Sequence, residues 1–193
     1  MKSACTIKAA CEALAAGELV IVPTETVYGV ACDPSAPGAV ERLIAAKGRD
    51  EGKPFARLVA TPSLIKKQAV SWSKGLDALA EKYWPGSVTI VLETDVGFVG
   101  YRVPTHPIAL ELAQEYGKEL ALTSANRSGC SETYFAEEAR TALGVDCVLD
   151  GGNLSPTSQP TTVVKVDGSS IFCLREGAVA FAEVESLFYE EMK

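Results

Sequence analysis

The chain is poor in the residues that most catalytic chemistry relies on. It has one histidine, His106, and no pair among its six cysteines has the two-residue spacing of a zinc knuckle or a redox motif. A structural zinc site is therefore not expected. No Gly-x4-Gly-Lys-Ser/Thr run occurs, so a P-loop is excluded. Aromatic residues make up only 7% of the chain, and no apolar run reaches the roughly 18–20 residues of a membrane span. Basic residues are in deficit: 18 Lys and Arg against 25 Asp and Glu give a net charge of −7. A protein that grips a phosphate backbone as its main task carries a basic face, and this balance argues against that role while leaving room for a local basic cleft. The cysteines, at 5, 11, 32, 130, 147 and 173, lie mostly among apolar neighbours, where reduced thiols act as small hydrophobes. That reading places the chain in a reducing cytosol. The first helix could pass for a weak signal sequence, but Glu12 interrupts its apolar stretch and favours an amphipathic helix.

What is present fits one α/β domain over residues 1–193. Ser3 and Gly17 bracket a first helix. Strand patterns follow at 18–23, 55–60, 87–94, 98–104, 119–124 and 146–150, with a short apolar continuation at 30–32. Pro37 suits the first turn of a helix running to Lys47. Further helices are expected after Thr61-Pro62, over 75–84, from His106-Pro107 to Tyr116, near 135–143 and over 182–191. Asp167-Gly168 signals a type I′ hairpin between the last two strands. Strands alternating with helices imply an open, twisted, mixed sheet flanked by helices, with a ligand cleft at the strand ends. Residues 151–160 read as a long loop beside the site.

Three segments carry candidate chemistry: PTETVYG at Pro23–Gly29, AKGR at Ala46–Arg49 and TSANRSG at Thr123–Gly129. Thr24, Glu25, Thr26 and Tyr28 offer groups for an amine and a hydroxyl, or merely cap a turn. Lys47 and Arg49 either complement a helix C-terminus or face phosphate, Arg as a fork and Lys as a point charge. Arg102 and Arg175 stand in or at the end of strands, where a buried guanidinium needs an anionic partner. Ser124 and Asn126 could hold ribose or phosphate oxygens, or form a simple Asx turn. His106 reads as a residue that packs at a helix start rather than as a base.

In their order these segments, with WPGSVTIVL, YRVPTHP and the PTTVV and LREGAV pair, resemble the YrdC/TsaC family, the threonylcarbamoyl-AMP synthases of tRNA modification, over residues 18–178. The resemblance implies a nucleotidyltransferase that joins L-threonine, bicarbonate or CO2 and ATP, with Mg²⁺ on the triphosphate. It releases pyrophosphate and hands the product to partner proteins that modify adenosine 37 of ANN-decoding tRNAs. It implies Lys47 and Arg49 as catalytic residues, and Thr24, Thr26, Tyr28 and Thr161 at the threonine end. Lys47, Arg49, Arg102, Ser124, Asn126 and Arg175 fall at the nucleotide end. It also implies a cytoplasmic protein of the short bacterial form, without a further C-terminal domain, and possible weak tRNA contact. Two features depart from the family pattern: no histidine follows Lys53-Pro54-Phe55, and Asp50 follows Arg49 where proline is common. The alternatives are an RNA-binding protein associated with translation and a non-catalytic relative that binds nucleotide.

Overall fold

The computed structural model describes residues 5–48, 54–156 and 159–192. Helix α1 (Ile7–Ala15) opens on Thr6, whose Oγ1 accepts from Ala9 N–H at 3.2 Å; the expected cap, Ser3, lies outside the described residues. Next come β1 (Val20–Pro23), β2 (Tyr28–Cys32) and α2 (Ala39–Lys47). Gly38, at φ 74°, is the N-cap of α2, so Pro37 stands before the helix rather than in its first turn. The chain continues through β3 (Ala56–Leu58), α3 (Pro62–Lys66), α4 (Lys74–Tyr83), β4 (Val88–Thr94) and β5 (Gly97–Arg102). It ends with α5 (Pro107–Tyr116), β6 (Leu120–Ser124), α6 (Ala136–Leu143), β7 (Cys147–Val148), β8 (Thr162–Asp167), β9 (Ser170–Arg175) and α7 (Phe181–Glu190). Strands β3 and β7 are shorter than their sequence patterns. The β8–β9 turn also differs from expectation. Asp167 pairs with Ser170, so Gly168 and Ser169 form the corner, and only Gly168 has positive φ. That is the signature of a II′ turn, not I′.

The nine strands of the described residues join one mixed sheet in the order β7-β1-β2-β6-β3-β5-β4-β8-β9. One face is covered along its length. There Ile21, Tyr28, Val30 and Cys32 pack with α2 and α6, while Val88, Ile90, Leu92, Tyr101, Val164 and Val166 pack with α4 and α7. On the other face α1 and α5 cover the β7-β1-β2 end over Val20, Val22 and Ala31, and reach Leu120 of β6 and Leu58 of β3. The rest of that face is open. Strand alternation turns Gly100 and Arg102 of β5, Thr89 and Val91 of β4, and Val163 and Lys165 of β8 toward it. The cleft therefore lies across the sheet face and reaches the strand ends at its rim, at Thr24, Ser124 and Arg175. The strand-end rule belongs to sheets sheathed by helices on both sides, and this sheet is sheathed on both sides at one end only.

Cys5 and Cys147 form a disulfide with a Cα–Cα distance of 5.5 Å, which corrects the expectation of reduced thiols throughout. Two patterns 142 residues apart meet because α1 begins beside the edge strand β7, where Cys5 N–H donates to Val148 O at 2.9 Å. Cys130 and Cys173 are exposed rather than packed in the interior.

Candidate active site

The open face holds a cleft of about 590 Å³, a size suited to small-molecule ligands. Its floor is made by sheet residues with little or no side chain, Gly29, Ala56 and Gly100, set among Thr89, Val91 and Leu122. Of the residues expected at the site, Thr24, Thr26, Arg102, Ser124, Thr161 and Arg175 line it.

The β1–β2 loop is locked by one hydroxyl. Thr24 Oγ1 donates to Val27 O at 2.7 Å and accepts from the N–H groups of Thr26 and Val27, each at 3.2 Å. Its single proton is thus committed, so in the 3.0 Å Thr24–Thr26 contact Thr26 is the donor. The lone pairs left on Thr26 Oγ1 suit an N–H donor in the cleft. Between these threonines Glu25 accepts from Arg102 Nη2. Glu25 Oε2 and Arg102 Nε are both buried with no hydrogen-bond partner. Sequence reasoning set Glu25 among the polar groups of the loop but gave it no partner. The pairing joins residues 77 apart, and the only signal for it was a strand arginine in need of an anion.

At the far end Arg175 donates from Nε and Nη2 to Thr161 O at 3.0 and 2.8 Å, and from Nη2 to Thr161 Oγ1 at 2.9 Å. Thr161 Oγ1 also meets Thr89 Oγ1 at 3.1 Å. Lys165, a lining residue the sequence reading did not pick, sits 3.7 Å over the Phe98 ring and pairs with Asp167 at 2.9 Å.

Three expected residues stand behind the lining. Lys47 is 4% exposed, and its Nζ donates to Ser124 O at 2.6 Å, Asn126 O at 2.5 Å and Asn126 Oδ1 at 3.1 Å. Asn126 Oδ1 also accepts from Ser124 Oγ at 2.6 Å, and Asn126 Nδ2 donates to Cys130 O at 2.6 Å. Lys47 and Asn126 thus form a buried knot that sets the 124–130 loop. Tyr28 is on the wrong face: alternation turns it away from the cleft side that Gly29 occupies. Its hydroxyl donates to Gly152 O at 2.8 Å and accepts from Gly151 N–H at 3.0 Å. Burial, with the Asp150 carboxylate adding to it, pushes the phenol up to about 12 although the Gly151 bond acts against the rise. Tyr28 therefore does not line the cleft. Arg49 lies outside the described residues. His106 stands at the N-cap position of α5 with Nδ1 buried and unpartnered, and burial holds its imidazole below the ordinary value despite the opposing pull of Glu25.

The family model described as "Telomere recombination", of Sua5, YciO and YrdC proteins, matches residues 12–177. A Mycobacterium tuberculosis (strain ATCC 25618 / H37Rv) protein is 37% identical over 188 residues, covering 90% of this chain and 85% of its own. A protein of Pseudoalteromonas translucida named threonylcarbamoyl-AMP synthase is 33% identical, covering 89% of this chain and 99% of its own. Among solved structures, Pyrococcus abyssi Sua5 complexed with L-threonine superimposes with a TM-score of 0.86 at 30% identity, covering 94% of this chain; this chain spans 56% of that protein's length. Escherichia coli YciO superimposes with a TM-score of 0.79 at 26% identity, each chain covered to 90%. With the model spanning most of the sequence and the fold shared along nearly its whole length, the chain belongs to the Sua5/YciO/YrdC family.

Proposed function

We propose that this chain is an L-threonylcarbamoyladenylate synthase, a nucleotidyltransferase acting on L-threonine, bicarbonate and ATP. The observation that carries the reading is the cleft itself. Hydroxyls of Thr24, Thr26 and Thr161 share one cavity with the guanidinium groups of Arg102 and Arg175, in a chain similar to synthases of this name and to a Sua5 that binds L-threonine.

In this reading the threonine amine, once deprotonated, bonds to the carbon of CO2 supplied by bicarbonate, giving a carbamate. A carbamate oxygen then attacks the α-phosphorus of ATP, and the bond from that phosphorus to the bridging oxygen breaks as pyrophosphate leaves. Water and threonylcarbamoyl-AMP are the other products. Two anions must meet a polyphosphate, so the task of the protein is to bring them together and offset their repulsion. Thr26 and Thr161 hold the amino acid. Arg175 and Ser124 hold the nucleotide, Arg102 offsets charge on the cleft floor, and Lys47 and Asn126 keep the Ser124 loop in place. Arg49 completes the cationic set by sequence. Among the described residues no cluster of His, Cys, Asp or Glu could hold a metal ion, and Mg²⁺ enters bound to the triphosphate as part of the substrate. Residues 1–193 act as a single domain, and partner proteins consume the adenylate in tRNA modification. No described helix is long and apolar enough to cross a membrane, and the family resemblance implies a cytoplasmic enzyme.

The test is pyrophosphate release by the purified protein with ATP, L-threonine and bicarbonate, with the adenylate identified by mass. Release that needs both threonine and bicarbonate is expected. Release indifferent to threonine, or none under any condition, overturns the reading.

A further inference from the structure

The Glu25–Arg102 pair is incomplete in a telling way. Their side chains are only 16% and 10% exposed, so both charges are largely withdrawn from water. Yet a single hydrogen bond joins them, and each keeps one buried atom without a partner: an acceptor on Glu25, Oε2, and a donor on Arg102, Nε. A guanidinium and a carboxylate can form two parallel bonds, and this pair leaves half of that capacity unused. Arg102 lines the cleft, and Glu25 is held between two lining residues by a loop that Thr24 has fixed.

We propose that Glu25 is a specificity-determining residue: its carboxylate serves as an internal counter-anion for Arg102. It yields only to a ligand that supplies both an anionic group for Arg102 and a hydrogen-bond donor for Glu25. The idea rests on the cleft being the substrate site and deepens that reading. A simple anion that takes Arg102 strands the Glu25 carboxylate buried and unpaired, which costs more than the new contact returns. A zwitterion that opens the pair offers Arg102 an anion and Glu25 a donor, and so avoids that penalty. The pair therefore screens out inorganic anions, including free phosphate and sulfate, that a bare buried arginine would collect. This gives a turn residue a part in selection without any part in bond making.

Sulfate is the probe, titrated calorimetrically against chloride at matched ionic strength, with L-threonine as a second titrant. Wild type is expected to bind sulfate no more tightly than Arg102→Met does. Glu25→Gln, which removes the internal anion, is expected to bind sulfate at least about tenfold more tightly, and Glu25→Gln combined with Arg102→Met loses that gain. Glu25→Asp, which keeps the charge but draws it back from Arg102, falls between wild type and Gln and serves where Gln does not fold. Equal sulfate affinity in wild type and Glu25→Gln, or a gain that survives Arg102→Met, overturns the proposal. The sulfate arm is independent of turnover. Its failure leaves the synthase reading intact, and absence of threonine-dependent pyrophosphate leaves the sulfate result standing.

Discussion

At Lys47 one ammonium meets three oxygens of the Ser124–Asn126 loop inside the protein. From sequence, a lysine at a helix end either complements the helix or faces phosphate. The structure adds a third office, since it ties the end of α2 to the loop after β6. A lysine that acted only on ligand would lower activity and leave stability alone. Lys47→Ala instead strands three buried acceptors, which costs about 3 kcal/mol, so its urea midpoint is expected to fall together with pyrophosphate release. Lys47→Arg is not expected to rescue either, because a planar fork cannot replace a point donor amid converging oxygens. Unchanged stability in Lys47→Ala would return the residue to a purely ligand-facing role. Tyr28 makes a matching case. Its motif neighbours face the cleft, and the simple two-residue alternation of β2 turns it to the other side. That signal was already in the sequence, once Gly29 is placed on the cleft floor.

Among the elements, helix ends and strand identities were legible because they are local. Pro107 opens α5 and Gly117, at φ 71°, closes it, as their chemistry dictates. The sheet order was not legible. β6 pairs with both β2 and β3, joining residues 28–32, 120–124 and 56–58, and no local pattern encodes such pairings. The open face follows from that order and from α1 and α5 crowding onto one end, which is why the cleft was expected at strand ends and is found across the strands. The same distance in sequence hid the Cys5–Cys147 and Glu25–Arg102 pairs. Where β9 hands over to α7, contact is tight: a Cβ on Gly177 would lie 2.2 Å from Pro160 O and 2.7 Å from Thr161 C. Backbone carbonyl groups cannot step aside as a side-chain tip can. Gly177→Ala is therefore expected to push Arg175 off Thr161, to cost about 1–3 kcal/mol, and to raise KM for ATP more than it lowers kcat. Unaltered melting and kinetics would show that the strand end shifts freely.

Across the whole molecule a net charge of −7 surrounds a cleft lined by Arg102, Lys165 and Arg175. Such focusing favours small anions over long polyanions, because the acidic exterior repels a nucleic-acid backbone while the cleft attracts a nucleotide. The scarcity of histidine gives this molecule one further testable property. Carboxylates titrate below roughly pH 5 and thiols and lysines above about pH 8, so between those limits His106 is the chief side chain able to change charge. Burial holds its folded pKa below the unfolded value of about 6.5. The native state then binds fewer protons than the unfolded chain, and stability rises with pH through this window. The contribution is fully present above the unfolded pKa and is lost as pH falls through the folded one. Urea midpoints measured at about pH 7.5, 6.5 and 5.5 are expected to decline in that order for wild type. His106→Asn, which keeps a residue suited to the helix cap, is expected to flatten the series. An equal decline in both proteins would mean that the imidazole is not held neutral at the head of α5, and that the pH response arises from carboxylates elsewhere.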